Sequence, residues 1–324
     1  PPTSELLRAA RQIARRAVQA RGEQVVAPRM AQLDALAKQV AGGRPADPAV
    51  ARGLYVRART LRSQLHLALL DAPLLLVKQH PYYAAHIYDT YYCWHPGGGI
   101  YILDNPDRPA ESKMRTVIDA TTKNTLGAGV YRDPDVHWDA DKIVFAYKPT
   151  APGMTNIYEI ALDNSNLCRL TESEAFHDIG PCYLGDDRIV FTSTRPKARV
   201  PCFNSGVDTL HVMNGDGSGL HSISVNNVTE FDPSIMPDGR VLYGRWEYVD
   251  KTALYMQSLW TANPDGTGET AFYANNMAKP TAVLDARAMP GGRQVVASLT
   301  PHNGQPVGAI GIIDPALGAN SQEA

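Results

Sequence analysis

Apolar residues recur at helical spacing through residues 1–72 and in short β-like runs thereafter. Leu6, Leu7, Ala10, Ile13, Ala14, Ala17 and Val18 share one stripe of a helix opening near Ser4-Glu5. Arg8, Arg11, Arg15 and Arg16 lie mostly off that stripe, and Gly22 marks the stop. A second helical pattern, Met30, Leu33, Leu36, Ala37 and Val40, ends at Gly42-Gly43. Asp47-Pro48 reads as an N-cap followed by a first helical residue, opening a third helix through Val50, Leu54, Leu61 and Leu65. A small N-terminal helical segment of about three helices is predicted over residues 1–72.

Beyond residue 73 the pattern changes to a repeat. Five β-rich runs each end at an Asx residue: Gly99–Asp104, Ile157–Asp163, Thr209–Asn214, Ser258–Asn263 and Ala309–Asp314. Those end points are 59, 51, 49 and 51 residues apart. Between them, a turn precedes an apolar strand at Asp139–Ala146, Gly185–Thr192, Pro237–Gly244 and Pro290–Ala297. A unit of about 50 residues with four short strands is one blade of a β-propeller. The fold class predicted is therefore mainly β: a helical segment, then a propeller over 73–324 with five visible units. The hairpins Asn214–Gly219 and Asn263–Gly268 carry alternating oxygen donors that suit Ca²⁺, but lack the distal bidentate Glu. Asp-Gly supplies positive-φ positions without steric cost, so they read as hairpin turns. The last unit stops just after Asp314-Pro315, and the expectation is a fragment of a longer protein; the alternative is that Leu74–Val77 completes a blade with the C-terminal strands.

Charge sharpens the division. Residues 1–72 carry 12 Lys+Arg against 5 Asp+Glu, leaving 19 against 28 for the rest of a chain whose net charge is −2. The helical arginines read as a solvated face or as a basic surface for an acidic partner. The overall balance gives no electrostatic case for nucleic acid, and no apolar run is long enough to span a bilayer. The chain begins Pro1-Pro2 without a signal peptide, so the natural start is expected to be missing. Four cysteines form no Cys-x-x-Cys pair, hence no Cys-x-x-Cys-His haem attachment.

Several residues could carry binding chemistry. Arg245, Trp246, Glu247, Tyr248 and Asp250 follow a predicted strand, where loop residues of a propeller converge on one face. Arg245, Glu247 and Asp250 need not act together, and an Arg beside a carboxylate reads first as a structural ion pair. The stretch His80–His95 concentrates histidines, Asp89, Cys93 and aromatics; packing is the main reading, with His86 and Asp89 the pair to test as ligands. His302 and Glu247 fall in equivalent long loops of different units, as does Cys202, a lone loop thiol. A divalent metal at Cys202 and His302 is the one cofactor these residues suggest. No nucleophile elbow, phosphate loop or His-Glu-x-x-His is present, so enzymatic activity stays open.

The turn-strand segments resemble TolB-like and, more distantly, WD40-like repeats. The blocks Asp238–Asp250, Leu259–Thr267 and Phe272–Asn276, with Val77–His80, Pro96–Tyr101 and Ile189–Arg195, are similar to the middle propeller domain of the hydrazine synthase alpha-subunit family. That resemblance covers residues 74–315. It implies an exported, periplasmic protein, and a family loop cysteine corresponding to Cys202 that can bind metal near a haem. The family's redox chemistry resides in c-type haems of another domain. The expected function is thus a non-catalytic propeller module binding a partner protein, the remainder of a larger polypeptide, or a small ligand. The alternative is the propeller portion of a metal- or haem-dependent oxidoreductase whose redox domain lies outside this chain.

Overall fold

The computed structural model describes all residues except 1, 43–44, 46, 81–93, 109, 202–203, 249–255, 303–307 and 322. The chain forms two units: Pro1–Leu76 with Tyr101–Thr116, and Val77–Ile100 with Val117–Ala324.

The first unit is built on α1 (Thr3–Arg21), α2 (Glu23–Ala41) and α3 (Pro48–Leu67). Each contributes one apolar stripe to a shared core: Leu6, Ala10 and Ala14 from α1, Val26, Leu33 and Leu36 from α2, Leu54, Ala58, Leu61 and Leu65 from α3. Burying side chains of this size contributes roughly 1.5–3 kcal/mol each for the larger ones. Asp47 caps α3 by accepting a 2.8 Å hydrogen bond from the Ala49 amide, with Pro48 in the first turn. The arginines divide in two. Arg8, Arg15 and Arg16 are exposed, whereas Arg21 ion-pairs with Asp107 at 3.4 Å and Arg29 bonds the Asp107 carbonyl.

The β-strands follow as meanders. β1 (Leu74–Lys78), β2 (Gly99–Asp104) and β3 (Lys113–Asp119) form a three-stranded sheet, so β1 pairs with β2 rather than with the C-terminal strands. β4 (Val130–Val136), β5 (Lys142–Lys148), β6 (Asn156–Ala161) and β7 (Cys168–Arg169) form a four-stranded sheet in that order. β8 (Asp178–Tyr183), β9 (Ile189–Ser193), β10 (Thr209–Met213) and β11 (His221–Ser222) form another. β12 (Glu230–Ile235), β13 (Val241–Trp246), β14 (Gln257–Ala262) and β15 (Thr270–Tyr273) repeat the plan. A single parallel pair, Gln257 with Ala282, joins them to β16 (Ala282–Ala288), β17 (Val295–Thr300) and β18 (Ala309–Ile313).

Successive sheets bury their faces against one another. Val144 and Ile157 cluster with Tyr183, Ile189, Phe191 and Met213; Val190, Leu210 and Val212 cluster with Val241, Tyr243 and Ala262; Leu242 and Leu259 cluster with Val283, Val295, Ala297 and Ile313. The sheet register also shifts one equivalence. Ile160, Met213, Ala262 and Ile313 occupy the same rung, so Ala161, not Asp163, matches Asn214, Asn263 and Asp314.

The predicted hairpin turns are present and satisfied from within. Oδ1 of Asp163, Asp216 and Asp265 each accepts a 2.9 Å bond from the amide two residues on, at Ser165, Ser218 and Thr267. Gly266 sits at φ +83°, and a Cβ there would collide with the Ile223 carbonyl oxygen of the preceding sheet's edge. The turn therefore requires glycine twice over.

Candidate functional site: the inner-strand cavity

The first strand of each meander, β4, β8, β12 and β16, carries the same irregularity. The ladder shifts register between Arg132 and Asp135, Ile179 and Cys182, Phe231 and Ser234, and Leu284 and Arg287. In each bulge one residue takes a left-handed backbone: Asp133 at φ 50°, Gly180 at 60°, Asp232 at 51° and Asp285 at 50°. Pro134, Pro181 and Pro233 follow the first three. A proline there removes an amide that the broken ladder leaves without a strand partner. Left-handed backbone at a non-glycine residue costs roughly 1 kcal/mol or more, less for Asp than for bulkier types.

These bulges line a cavity of about 210 Å³ with Asp133, Asp135, Asp232, Asp285 and Arg287 on its wall. An adjoining cavity of about 310 Å³ shares Asp133, Asp285 and Arg287 and adds Arg132, Gln79, His80 and His95. The local fold supplies the second wall. The Gln79 side chain donates to the Tyr131 carbonyl at 2.8 Å, and the Gly97 amide donates to the Gly129 carbonyl at 3.0 Å. Gly98 lies so close to the Lys78 carbonyl that any Cβ would collide with it, which lets the Pro96–Gly98 turn pack onto the segment bearing His80.

The carboxylates differ in their support. Asp133 is met by its neighbour, Arg132 Nε at 2.6 Å. Asp135 accepts the Tyr183 amide at 2.9 Å and Asp232 accepts the Asp285 amide at 3.1 Å, so each ties one inner strand to the next. Burial raises the Asp232 carboxyl above its ordinary range, and the charges of Asp285 and Asp133 push it further, against the pull of Arg287. Burial likewise raises Asp285, with Arg287 opposing. Burial also raises Asp135, partly offset by the Tyr183 amide. Four carboxyl groups and two guanidiniums thus share the walls of the two cavities, with His80 and His95 on the second. At the rim Trp138 is 62% exposed, its indole anchored by a 2.9 Å bond to the Leu184 carbonyl.

The residues singled out from sequence lie elsewhere. Arg245 stacks over Trp260 at 4.6 Å and ion-pairs with Glu269, while Glu247 accepts from Asn275 at 2.9 Å. Trp246 is buried, with Tyr248 edge-on at 5.1 Å and His302 tilted against it at 5.3 Å. His302 is itself buried, its Nδ1 bonded to Gln257 Nε2 at 2.9 Å and its amide to Thr281 Oγ1 at 2.8 Å. Trp246, Tyr248 and His302 are thus brought together, and Arg245 and Glu247 are turned to different partners. Asp250, His86, Asp89 and Cys202 lie outside the described residues. Among the described residues, no three His, Cys, Asp or Glu side chains are grouped to hold one metal ion, and no helix is long and apolar enough to cross a membrane. The inner strands had a legible signal, an x-Pro dipeptide upstream of the turn in three of the four units (Asp133-Pro134, Gly180-Pro181 and Asp232-Pro233), which reads as a loop when taken one unit at a time.

No family model and no curated protein matches the sequence. Among solved structures, Kuenenia stuttgartiensis hydrazine synthase matches 75% of this chain with TM-score 0.61 at 17% identity, and the chain spans 37% of that chain's length. A putative TolB from Agrobacterium tumefaciens matches 55% of this chain and 59% of its own, with TM-score 0.41 at 17% identity. A nidogen/laminin complex matches 75% and 78%, with TM-score 0.48 at 13% identity. The likeness to hydrazine synthase is one of fold: the second unit is a β-propeller-like module.

Proposed function

We propose that this chain is a non-catalytic propeller module of an exported, hydrazine synthase alpha-like protein, and that its inner-strand cavity holds a cationic group. The guest is a small alkylamine or the basic side chain of a protein partner; both present the same chemistry. The observation that supports this reading is the convergence of Asp133, Asp232 and Asp285 at three left-handed bulges around one cavity. Each carboxylate there adds backbone strain, and Asp232 and Asp285 add mutual repulsion in a partly dehydrated space. A cation entering the cavity relieves the repulsion, and the exposed Trp138 ring offers it a π face at the rim.

Calorimetric titration with cadaverine, and with glutarate as a dianion of similar length, tests the reading. Cadaverine is expected to bind saturably and glutarate not at all, with affinity falling at least tenfold in the D232N/D285N variant. Asn at 232 retains an oxygen for the Asp285 amide, so the fold is preserved. Equal affinity in wild type and variant, or no saturable binding, contradicts the proposal.

A further inference from the structure

The loop from β9 to β10, residues 194–208, is the longest of the four in its position; the others are 149–155, 247–256 and 301–308. It folds back on itself, the Val207 amide donating to the Ala198 carbonyl at 3.0 Å and the Val200 amide to the Ser205 carbonyl at 3.1 Å. Val200 and Val207 are buried in a cluster with Ile179, Phe231 and Trp246, which anchors the excursion from one side. Lys197, Arg199 and Asn204 of the same loop are exposed and line a pocket of about 430 Å³, which Met154, Phe176 and His177 complete. The two principal loops of this pocket are fastened where they meet: the His177 amide donates to Thr194 Oγ1 at 2.9 Å, and the Thr194 amide to the His177 carbonyl at 3.0 Å.

We infer that this pocket binds a small amphiphilic anion, a carboxylate carried on an aromatic body. Residues 189–207 hold Arg195, Lys197 and Arg199 and no Asp or Glu, within a propeller segment whose acidic residues outnumber its basic ones. Arg195 is neutralised by the buried Asp178, which its guanidinium grips through two nitrogens. Among the described residues, neither Lys197 nor Arg199 pairs with a carboxylate, and no carboxylate lines the pocket. Burial, reinforced by Lys148 and Arg132, holds His177 at about 4, so the pocket's positive charge at pH 7 is that of Lys197 and Arg199. Phe176 supplies the apolar seat: it is half-buried, with Lys197 Nζ 5.5 Å from its ring centroid and Met154 and Ala198 on the same pocket wall. A ligand ring placed against Phe176 brings its carboxylate to a cation, whereas inorganic phosphate would meet the charges and leave the apolar wall without a partner.

Phenylacetate is the probe, read by calorimetry and by amide chemical shifts in the intact 324-residue chain. Acetate, inorganic phosphate and 2-phenylethanol separate the charge from the apolar body. The expected result is saturable binding of phenylacetate, at least tenfold tighter than that of any of the three, with the largest shifts at Phe176, Lys197 and Gly206. The K197Q/R199Q variant, altered at exposed positions, is expected to bind phenylacetate at least tenfold more weakly with an unchanged far-UV spectrum. No saturable binding overturns the inference, as do shifts centred elsewhere or full affinity in a folded double variant. Phosphate or 2-phenylethanol binding as tightly as phenylacetate also overturns it, and that comparison needs only the wild-type chain.

Discussion

Two sets of aspartates repeat through this molecule, and their environments are opposite. In the outer hairpins, Asp163, Asp216 and Asp265 bond the serine or threonine two residues on, chiefly through its side chain, and their carboxyls sit below the ordinary range. In the inner bulges, Asp232 and Asp285 face other carboxylates in a cavity, and burial lifts them above it. A turn that satisfies its own carboxylate needs no explanation beyond folding. A turn that strains the backbone and crowds like charges is where function is to be sought.

The largest effect should come from breaking an outer turn through its backbone rather than its aspartate. Gly266→Ala imposes a Cβ at positive φ and against the Ile223 carbonyl, and should lose about 3 kcal/mol or more in urea unfolding. Acid should then expose His177, whose ring is held at about 4 by burial, with Lys148 and Arg132 opposing its protonation further. Its folded value lies below the 6.5 of the unfolded chain, so its contribution is complete above pH 6.5 and disappears as pH falls toward 4. The loss should reach at most about 3 kcal/mol, and His177→Gln should flatten that part of the profile.

The inner aspartates should show the reverse slope. Their folded values are raised, so the favourable protonated state is present at low pH and is lost as pH rises through them. Asp232→Asn, which cannot ionise, should therefore stabilise the protein by about 1–2 kcal/mol at pH 8 and by little below pH 4. Destabilisation at pH 8 would show instead that the carboxylate is chiefly a strut for the Asp285 amide. The smallest effect is expected for Asp265→Ala, which removes one exposed turn bond and should lower the thermal midpoint by about one or two degrees.

The same contrast explains what could be read from the chain. The second and third strands of each meander, β5 and β6 for example, are continuous apolar runs beside Asx turns, and their spacing made the repeat legible. Asp47-Pro48 likewise marked a helix start that the structure shows. The first strands were not legible, because Asp-Pro within Glu230–Ile235 carries the chemistry of a turn and only the bulge reconciles it with a ladder. The cavity was hidden for a related reason: its wall comes from strands separated by whole repeats, and no single stretch concentrates its residues. The Arg245–Tyr248 stretch is conspicuous in one window, yet Trp246 packs inward and its neighbours take local partners.

The most direct test is the titration of the Asp232 and Asp285 side-chain carboxyl carbons by NMR, without and with saturating cadaverine. The account predicts carboxyls that protonate above the ordinary aspartate range in the free protein, Asp232 the more strongly, and shift downward when the cation binds. Ordinary titration in the free protein, or curves indifferent to cadaverine, would contradict it.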